Sequence, residues 1–512
     1  MRSVALILGV GFAALSAHTT SAQQPALHAG GERLGEVHFA TSCAPAVAPD
    51  FNRAVALLHS FEFGASIRAF NGVLHRDSTC AMAQWGIALS SWTNPMAPTN
   101  RPPTALKAGR IASDAAVRLA ASASERERGY AGAVSELYAD AEHRDQRTRV
   151  LAYEHAMSEL AAQNPADTEA QIFHALSHVA AAAPTDKTYA NQLKAGAILE
   201  AIWARQPDHP GLAHYIIHSY DVPALAPRAA LAARRYATIA PSAAHALHMP
   251  SHTFTRVGAW QQSIATNTRS VAAARQEGSI AEALHASDYM EYAYLQLGRT
   301  VDAKAVVDGL PALAANFDPT VVAGAAPGSA GVYALAAIPA RYALERRKWT
   351  EAARLVPHPS SFPYADAVTY FARALGAAHT GDLVSAQAAA DSLAACRGRL
   401  VVQNESYWTE QVAIQELIAR AWIALADHHA DDALARMREA VVREDATEKS
   451  AVTPGPIAPA RELLGDMLIE VGRPADAVAE YKRTLEKEPG RLRSIEGSKQ
   501  AAKGATKNAK AG

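Results

Sequence analysis

The chain is a succession of alanine-rich amphipathic stretches, each of about a dozen residues, separated by short turns of Gly, Pro or Asp. Apolar residues recur in these stretches at the spacing of a helix. Sustained alternating runs of Val, Ile and Thr, which would indicate strands, are missing. We therefore predict an all-α fold.

The clearest repeat lies near the C-terminus, at residues 458–489, which read APARELLGDMLIEVGRPADAVAEYKRTLEKEP. A Leu464-Gly465 pair, a turn at Gly472 and a closing Pro489 make this segment resemble a tetratricopeptide repeat (TPR), a helix–turn–helix unit of about 34 residues. One such unit cannot bury its apolar face alone, so neighbouring units must stack. The prediction is a TPR-type α-solenoid of stacked antiparallel helix pairs.

Weaker copies of the same pattern occur upstream. Pro207 and Pro241 lie one repeat length apart, and the segment from Phe61 to Phe70 also fits. Turn and second-helix starts are indicated at Gly258, Gly298, Trp349, Gly381 and Ala430. The spacing of so many matches is not expected from an ordinary alanine-rich helical bundle.

Three stretches rich in Pro, Gly and small residues interrupt the helices, at residues 94–104, 311–331 and 447–459. The middle stretch is predicted to connect an N-terminal TPR-like array over residues 23–310 to a C-terminal array over residues 332–496. Residues 497–512 carry four Lys and no acid, which is typical of a basic disordered tail.

The N-terminus reads as a targeting signal. Arg2 precedes an apolar run over residues 4–15 that is too short to cross a bilayer, and small residues at 20–22 offer a cleavage site. We predict a signal peptide over residues 1–22, cleaved near Ala22, and a periplasmic or secreted mature protein without membrane insertion. The near balance of 49 Lys+Arg against 50 Asp+Glu argues against a nucleic-acid binder.

The chain has three cysteines. Cys43 and Cys80 lie close together at the start of the mature chain and are predicted to form a disulfide in an oxidising compartment, with Cys396 left alone. The alternative is three buried thiols.

Several segments together resemble one family of exported bacterial TPR proteins: TSCAPAVAPDFNRAVALLHSFEF, DSTCAMAQWGIALS, HPGLAHYIIHSYD, HALHMPSHTFTRVGAW and ATEKSAVTPGPIAPARELLGDML. The resemblance covers most of the mature chain. It implies the TPR architecture and brings no biochemical activity with it.

Histidine is distributed unusually, because seven of the 20 His fall between residues 209 and 285. His214 and His218 form one pair at i, i+4 spacing, and His248 and His252 form a second pair 34 residues later. Equivalent positions of adjacent repeats are neighbours, so the four imidazoles are predicted to converge. Pro250 lies inside the second pair, so His248 is expected at a helix end.

Counting from the predicted turns places further polar and aromatic side chains on the same inner, concave face. His285 and Asp288 are expected beside the four histidines and complete the candidate metal ligands. The predicted groove residues, expected to meet a ligand, are His59, Trp85, Trp92, Tyr289 and Tyr292. The Trp residues have a second interpretation as packing residues of the repeats.

The sequence leaves two functions open. The first is an exported TPR scaffold that binds a peptide, a protein segment or a small ligand in its concave groove. The alternative is a protein that binds Zn or Cu through the histidines, with Asp288 or Asp221 as an oxygen ligand, and that is a hydrolase if the metal has an open position. A metal-free polar groove and a purely structural role of the histidines also remain open. The usual catalytic signatures are absent, so no catalytic residue is assigned.

Overall fold

The amphipathic pattern forms helices throughout the computed structural model, which describes residues 31–511. Within these residues no segment forms a β-strand. The helices are α1 Ala48–His59, α2 Phe63–Arg76, α3 Ala81–Trp92, α4 Pro103–Ala120, α5 Glu125–Glu136, α6 Gln146–Gln163, α7 Thr168–Ala180, α8 Ala190–Trp203, α9 Pro210–Ser219, α10 Ala230–Ile239, α11 Ala244–His248, α12 Pro250–Arg256, α13 Trp260–Gln276, α14 Ile280–Gln296, α15 Thr300–Leu313, α16 Gly328–Glu345, α17 Trp349–Ala353, α18 Pro363–His379, α19 Leu383–Val402, α20 Ser406–Ala426, α21 Ala430–Asp445, α22 Ala460–Glu470, α23 Pro474–Lys487 and α24 Leu492–Ala511.

Successive helices pack against each other in pairs, and each pair packs on the next. The helix α13 packs on α14, α14 packs on both α15 and α16, and α18, α19 and α20 contact one another in order. The predicted all-α, TPR-type solenoid of stacked helix pairs is therefore confirmed.

The predicted turns are set by residues in the left-handed region of the backbone. Gly258 and Gly298 have φ of 71° and 68°, and in each case the next helix begins two residues later. Glycine adopts this conformation without steric cost. Arg347 has φ of 53° at the equivalent position before α17, which shows that the turn geometry is kept even where the sequence offers no glycine.

Most of the apolar core lies in two clusters. One is built from residues between Leu34 and Met249 together with Ala325, and the other from residues between Ala326 and Ala501. The predicted connector over 311–331 lies where the first apolar cluster gives way to the second. Its bounds differ from the prediction, because α15 continues to Leu313 and α16 begins at Gly328. Pro311 is accommodated in the last turn of α15, so the proline did not end the helix where the sequence suggested.

The structure describes the predicted C-terminal tail but not the predicted signal peptide. The predicted signal peptide, residues 1–22, lies outside the described residues. The predicted disordered tail is helical as far as Ala511, because α24 packs on α23 and buries Ala501 in the second apolar cluster. In addition, the side chain of Ser494 donates a hydrogen bond to Glu462 (2.6 Å).

The structure bonds Cys43 to Cys80, with 4.8 Å between their Cα atoms. Cys43 lies shortly before α1, and Cys80 immediately precedes α3. The bond therefore ties the extended segment before α1 to the second helix pair. Cys396 is a free, buried thiol on α19. No helix among the described residues is both long and apolar enough to cross a membrane.

Candidate functional site

Three buried histidines from two repeats form the first triad. His214 and His218 lie on α9, and His245 lies on α11. One ring nitrogen of each can be chosen so that all three lie within 4.8 Å of one another. Their side chains are almost completely removed from solvent, because they lie between the helices of adjacent repeats.

Hydrogen bonds determine which ring nitrogens of the first triad carry protons. His214 Nδ1 lies 2.6 Å from the backbone carbonyl oxygen of His59, which can only accept, so Nδ1 carries the hydrogen. His245 Nδ1 donates to the Glu282 carboxylate at 2.9 Å. The Nε2 atoms of both rings therefore present lone pairs. None of the three Nε2 atoms of the triad has a hydrogen-bond partner among the described residues.

The second triad is formed by His248, His252 and His285, whose ligand nitrogens also lie within 4.8 Å of one another. As the sequence suggested for Pro250, the helix is interrupted here: α11 ends at His248 and α12 begins at Pro250. His285 comes from α14 of the next repeat. The rings of His218 and His252 have centroids 6.1 Å apart, so the two triads are adjacent.

In the second triad two lone pairs face each other. His248 Nδ1 donates to Asn267 Oδ1 at 2.7 Å, and the Asn267 amide is oriented by its own donation to the Ser263 carbonyl. His252 Nδ1 donates to Asp221 at 2.9 Å. The Nε2 atoms of His248 and His252 are 3.1 Å apart, and both are left as acceptors. A cation between them would satisfy both.

Burial lowers the pKa of five of these imidazoles and so keeps them neutral. It lowers the pKa of His214, His218 and His248 well below the usual value, and the neighbouring imidazoles lower it further. Burial also lowers the pKa of His252 to about 4 and that of His285 to about 3, although Asp221 and Glu282 respectively act in the opposite direction. Neutral imidazole is the form that binds a metal ion.

Carboxylates surround the rings without being members of either triad. Glu282 accepts from His245 Nδ1, and Glu62 accepts from the His245 backbone N–H at 3.2 Å. Asp221 accepts from His252 Nδ1, from Arg256 Nε (2.9 Å) and from Lys449 Nζ (3.2 Å). Such carboxylates orient ligand imidazoles and increase their basicity in known metal sites.

The structure corrects the predicted arrangement of the histidines. The sequence predicted one point of convergence for His214, His218, His248 and His252, whereas each pair forms its own triad with a histidine from the following repeat. His245 was not among the predicted ligands. It belongs to the same histidine-rich segment, but it does not share the i, i+4 spacing, so the pattern did not select it.

Asp288 is also placed differently from the prediction. It is fully buried on α14 and pairs with Arg341 Nε at 3.0 Å instead of joining a triad. Arg341 in turn donates to the Gly455 and Pro456 carbonyl oxygens and to Thr453 Oγ1. The predicted ligand therefore positions an arginine that holds residues 447–459.

We call residues 447–459 the strap, because this loop lies against several repeats. The Tyr289 hydroxyl is within hydrogen-bond distance of the Ala451 and Thr453 carbonyl oxygens, at 3.1 and 3.0 Å. Lys449 reaches Asp221 beside the second triad. The chain's own strap thus occupies the face that Tyr289 was predicted to offer to a ligand.

The five predicted groove residues are all buried in the structure. Their exposed fractions are 3% or less, so none of them presents its side chain to bulk solvent. Trp85 packs against Phe39 of the segment before α1, and Trp92 stacks under Arg101. These contacts match the packing interpretation of the two tryptophans.

His59 and Tyr292 have polar partners in the interior. His59 lies 2.9 Å from Glu169, which also accepts from His209 at 3.0 Å, and its other nitrogen contacts the Tyr215 hydroxyl. Tyr292 contacts Glu488 and Arg491, between α23 and α24. The expected groove face is covered because chain segments outside the helices fold onto it.

Comparison with known proteins finds no sequence relative, and the solved structures that it finds resemble the chain only distantly. No family model and no curated protein sequence matches the chain. It is similar to the Cut9–Hcn1 structure of the APC/C (12% identity, TM-score 0.37, 89% of this chain and 76% of that one). It is also similar to yeast Tom70 (11%, 0.31, 90% and 96%) and to IFIT1 (10%, 0.36, 90% and 96%).

Proposed function

We propose that this protein is a metal-binding TPR-type protein that holds a transition-metal ion among its buried histidines. We call the two triads together the histidine core. The first triad carries the proposal. One ring nitrogen of each histidine lies within 4.8 Å of the other two there, and the buried Nε2 atom of each ring has no hydrogen-bond partner among the described residues. Buried polar atoms are rarely left unpaired in a folded protein, and a metal ion would satisfy all three together.

The chemistry of the donor set supports a borderline metal. Imidazole nitrogen suits zinc and copper, and three protein ligands leave a further coordination position. Glu282 accepts from His245 Nδ1 and so leaves Nε2 of that ring available to a metal, as a carboxylate does for ligand histidines in metal sites. The nearby carboxylate of Glu282 can balance part of the charge of a divalent ion.

Elemental analysis tests this proposal. Protein expressed without an affinity tag and loaded with zinc or copper should retain metal after desalting, whereas His218→Ala should lose the ion of the first triad and keep its helix content. His155→Ala is the matched control, because His155 is an exposed histidine on α6. A His218→Ala variant that retains as much metal as the parent would refute the site.

A second candidate function is the binding of an extended peptide on the face that the strap covers. The supporting observation is the way the strap is held, with backbone carbonyls bound by Arg341 and Tyr289. A partner peptide could replace these contacts. A chain with the strap replaced by a Gly-Ser linker should bind a synthetic peptide of residues 447–459, and a scrambled peptide should not bind.

Export to the periplasm or the medium is part of the proposal. The leader pattern of residues 1–22 and the bonded Cys43–Cys80 pair both fit an oxidising compartment. N-terminal sequencing of the protein from its native host should begin near Gln23. A mature protein that still starts at Met1 would contradict export by this route.

A further inference from the structure

The two triads have the same ligands but different charges around them. Three neutral imidazoles contribute no charge, so a metal ion buried among them must be balanced by other groups. The nearest ionisable side chains therefore determine whether a triad can hold a divalent ion or only a monovalent one.

The first triad lies next to carboxyl groups without a basic partner. Glu62 and Glu282 are buried, and both contact His245. No Lys or Arg within the described residues forms an ion pair with either one. The remaining oxygen of Glu282 accepts the backbone N–H of Ala326 at 2.8 Å. The negative charge of Glu282 is thus available to balance part of the charge of a divalent ion.

The second triad lies next to two basic side chains. Its carboxylate, Asp221, is already paired with Arg256 and Lys449, and all three side chains are buried. The group Asp221, Arg256 and Lys449 therefore carries a net positive charge. Glu282 also lies near His285, but its two oxygens are directed at His245 and Ala326.

We propose that the second triad is a separate site for a monovalent ion, copper(I), and that Lys449 of the strap excludes divalent ions from it. This inference rests on the proposed function, because it assumes that the histidine core binds metal. Two imidazole nitrogens 3.1 Å apart can share one copper(I) ion, and a lower ionic charge reduces the repulsion from Lys449 and Arg256.

Metal titration of the purified full-length chain tests this directly. Zinc should bind with one tight equivalent, at the first triad. Copper(I), added anaerobically with a reductant, should bind with two equivalents. Two zinc equivalents of equal affinity, or only one copper(I) equivalent, would overturn the assignment of the second triad.

The outcome also separates this inference from the proposed function. If His218→Ala removes the zinc equivalent and leaves one copper(I) equivalent, both are supported. If the parent binds no zinc but still binds copper(I) in a His252-dependent manner, the proposed divalent site fails and the second triad stands. If the parent binds neither metal, both fail.

Substitution of Lys449 isolates the role of charge. Lys449→Met should create a second zinc equivalent or strengthen it by about tenfold or more, since it removes a buried positive charge beside the triad. Lys449→Arg keeps that charge and should behave as the parent. Lys187→Met is the matched control, because Lys187 pairs with the neighbouring strap residue Glu448 on the exposed side.

Helix content by circular dichroism confirms that each variant is folded. If Lys449→Met does not fold, Lys449→Gln provides the same loss of charge with a polar side chain. Unchanged zinc stoichiometry and affinity in a folded neutral variant would refute the charge-based exclusion.

Discussion

Individual histidines in this protein are buried deeply enough to couple its stability to pH. Burial lowers the pKa of His252 to about 4, whereas the same side chain in the unfolded chain titrates near 6.5. As the pH falls below 6.5, the unfolded state takes up a proton that the folded state does not. The free energy of unfolding is therefore highest above pH 6.5 and decreases toward pH 4.

For the metal-free protein we expect this decrease to be about 1.4 kcal/mol between pH 7.5 and 5.5 for each such histidine. Urea denaturation at the two pH values measures it. His252→Gln should reduce the loss by that amount, and the exposed His155→Gln should not change it. Equal losses in the parent and in His252→Gln would contradict the assigned burial.

The same pKa values alter the expected pH dependence of metal binding. Protonation of free histidine would weaken binding below pH 6.5, but His252 and His285 resist protonation until about pH 4 and 3. We expect bound metal to persist at pH 5.5. Metal analysis after dialysis at each pH measures the bound metal. Release that begins at pH 6.5 would show that the ligands titrate as exposed histidines do.

Asp288 compensates the buried positive charge of Arg341. Removing its charge leaves Arg341 buried without its carboxylate, so Asp288→Asn should lower the free energy of unfolding by about 3 kcal/mol. It should leave metal binding intact, because Asp288 belongs to neither triad. The matched control is Asp302→Asn, whose pair with Arg299 is exposed and screened by solvent, so its loss should change the free energy of unfolding far less.

The attachment of the strap to the helices depends on a few hydrogen bonds. Tyr289→Phe removes the hydroxyl that meets the Ala451 and Thr453 carbonyl oxygens, which should weaken the attachment of the strap by about 1–3 kcal/mol. Limited trypsin digestion after Lys449 should become about tenfold faster. Tyr294→Phe, on the same helix and without a contact to the strap, should be digested at the parental rate.

The segment before α1 depends on its disulfide. Titration of the denatured, unreduced protein should find a single thiol, Cys396, and three reactive thiols would refute the bond. Replacement of Cys43 and Cys80 by Ser should lower the free energy of unfolding by about 3–4 kcal/mol, since the bond closes a loop in the unfolded chain. The Cys396→Ser variant serves as the control.

The molecule as a whole joins its N-terminal and C-terminal repeats through contacts far apart in sequence. The Asn100 backbone N–H donates to Glu405 at 2.9 Å, and Trp260 Nε1 donates to the Gly490 carbonyl at 3.1 Å. From Arg33 onward the chain forms a single unit. Events in the histidine core should therefore affect the unfolding of all repeats together.

Metal binding should accordingly stabilise the whole chain. Zinc at 100 times its dissociation constant should raise the free energy of unfolding by about 2.7 kcal/mol, because it binds the folded state alone. Denaturant titration followed by circular dichroism measures this. His218→Ala should abolish the increase, and a parental chain that gains no stability from zinc would contradict a preformed divalent site.

The helical pattern was sufficient to predict the class of fold and most repeat turns. Helical periodicity and turn residues act over short sequence distances, so Gly258, Gly298 and the segment around Gly472 could be interpreted directly. The concentration of histidines, the break at Pro250 and the pairing of Cys43 with Cys80 were visible for the same reason: each depends on composition or on positions close in the chain.

The grouping of the histidines, by contrast, depends on how repeats rotate when they pack. That rotation placed His245 with His214 and directed Asp288 to Arg341, although spacing along one helix suggested otherwise. Loops that fold back over the histidines determine which residues cover them. The strap does so with Lys449. Such contacts join residues hundreds of positions apart, and no local pattern encodes them.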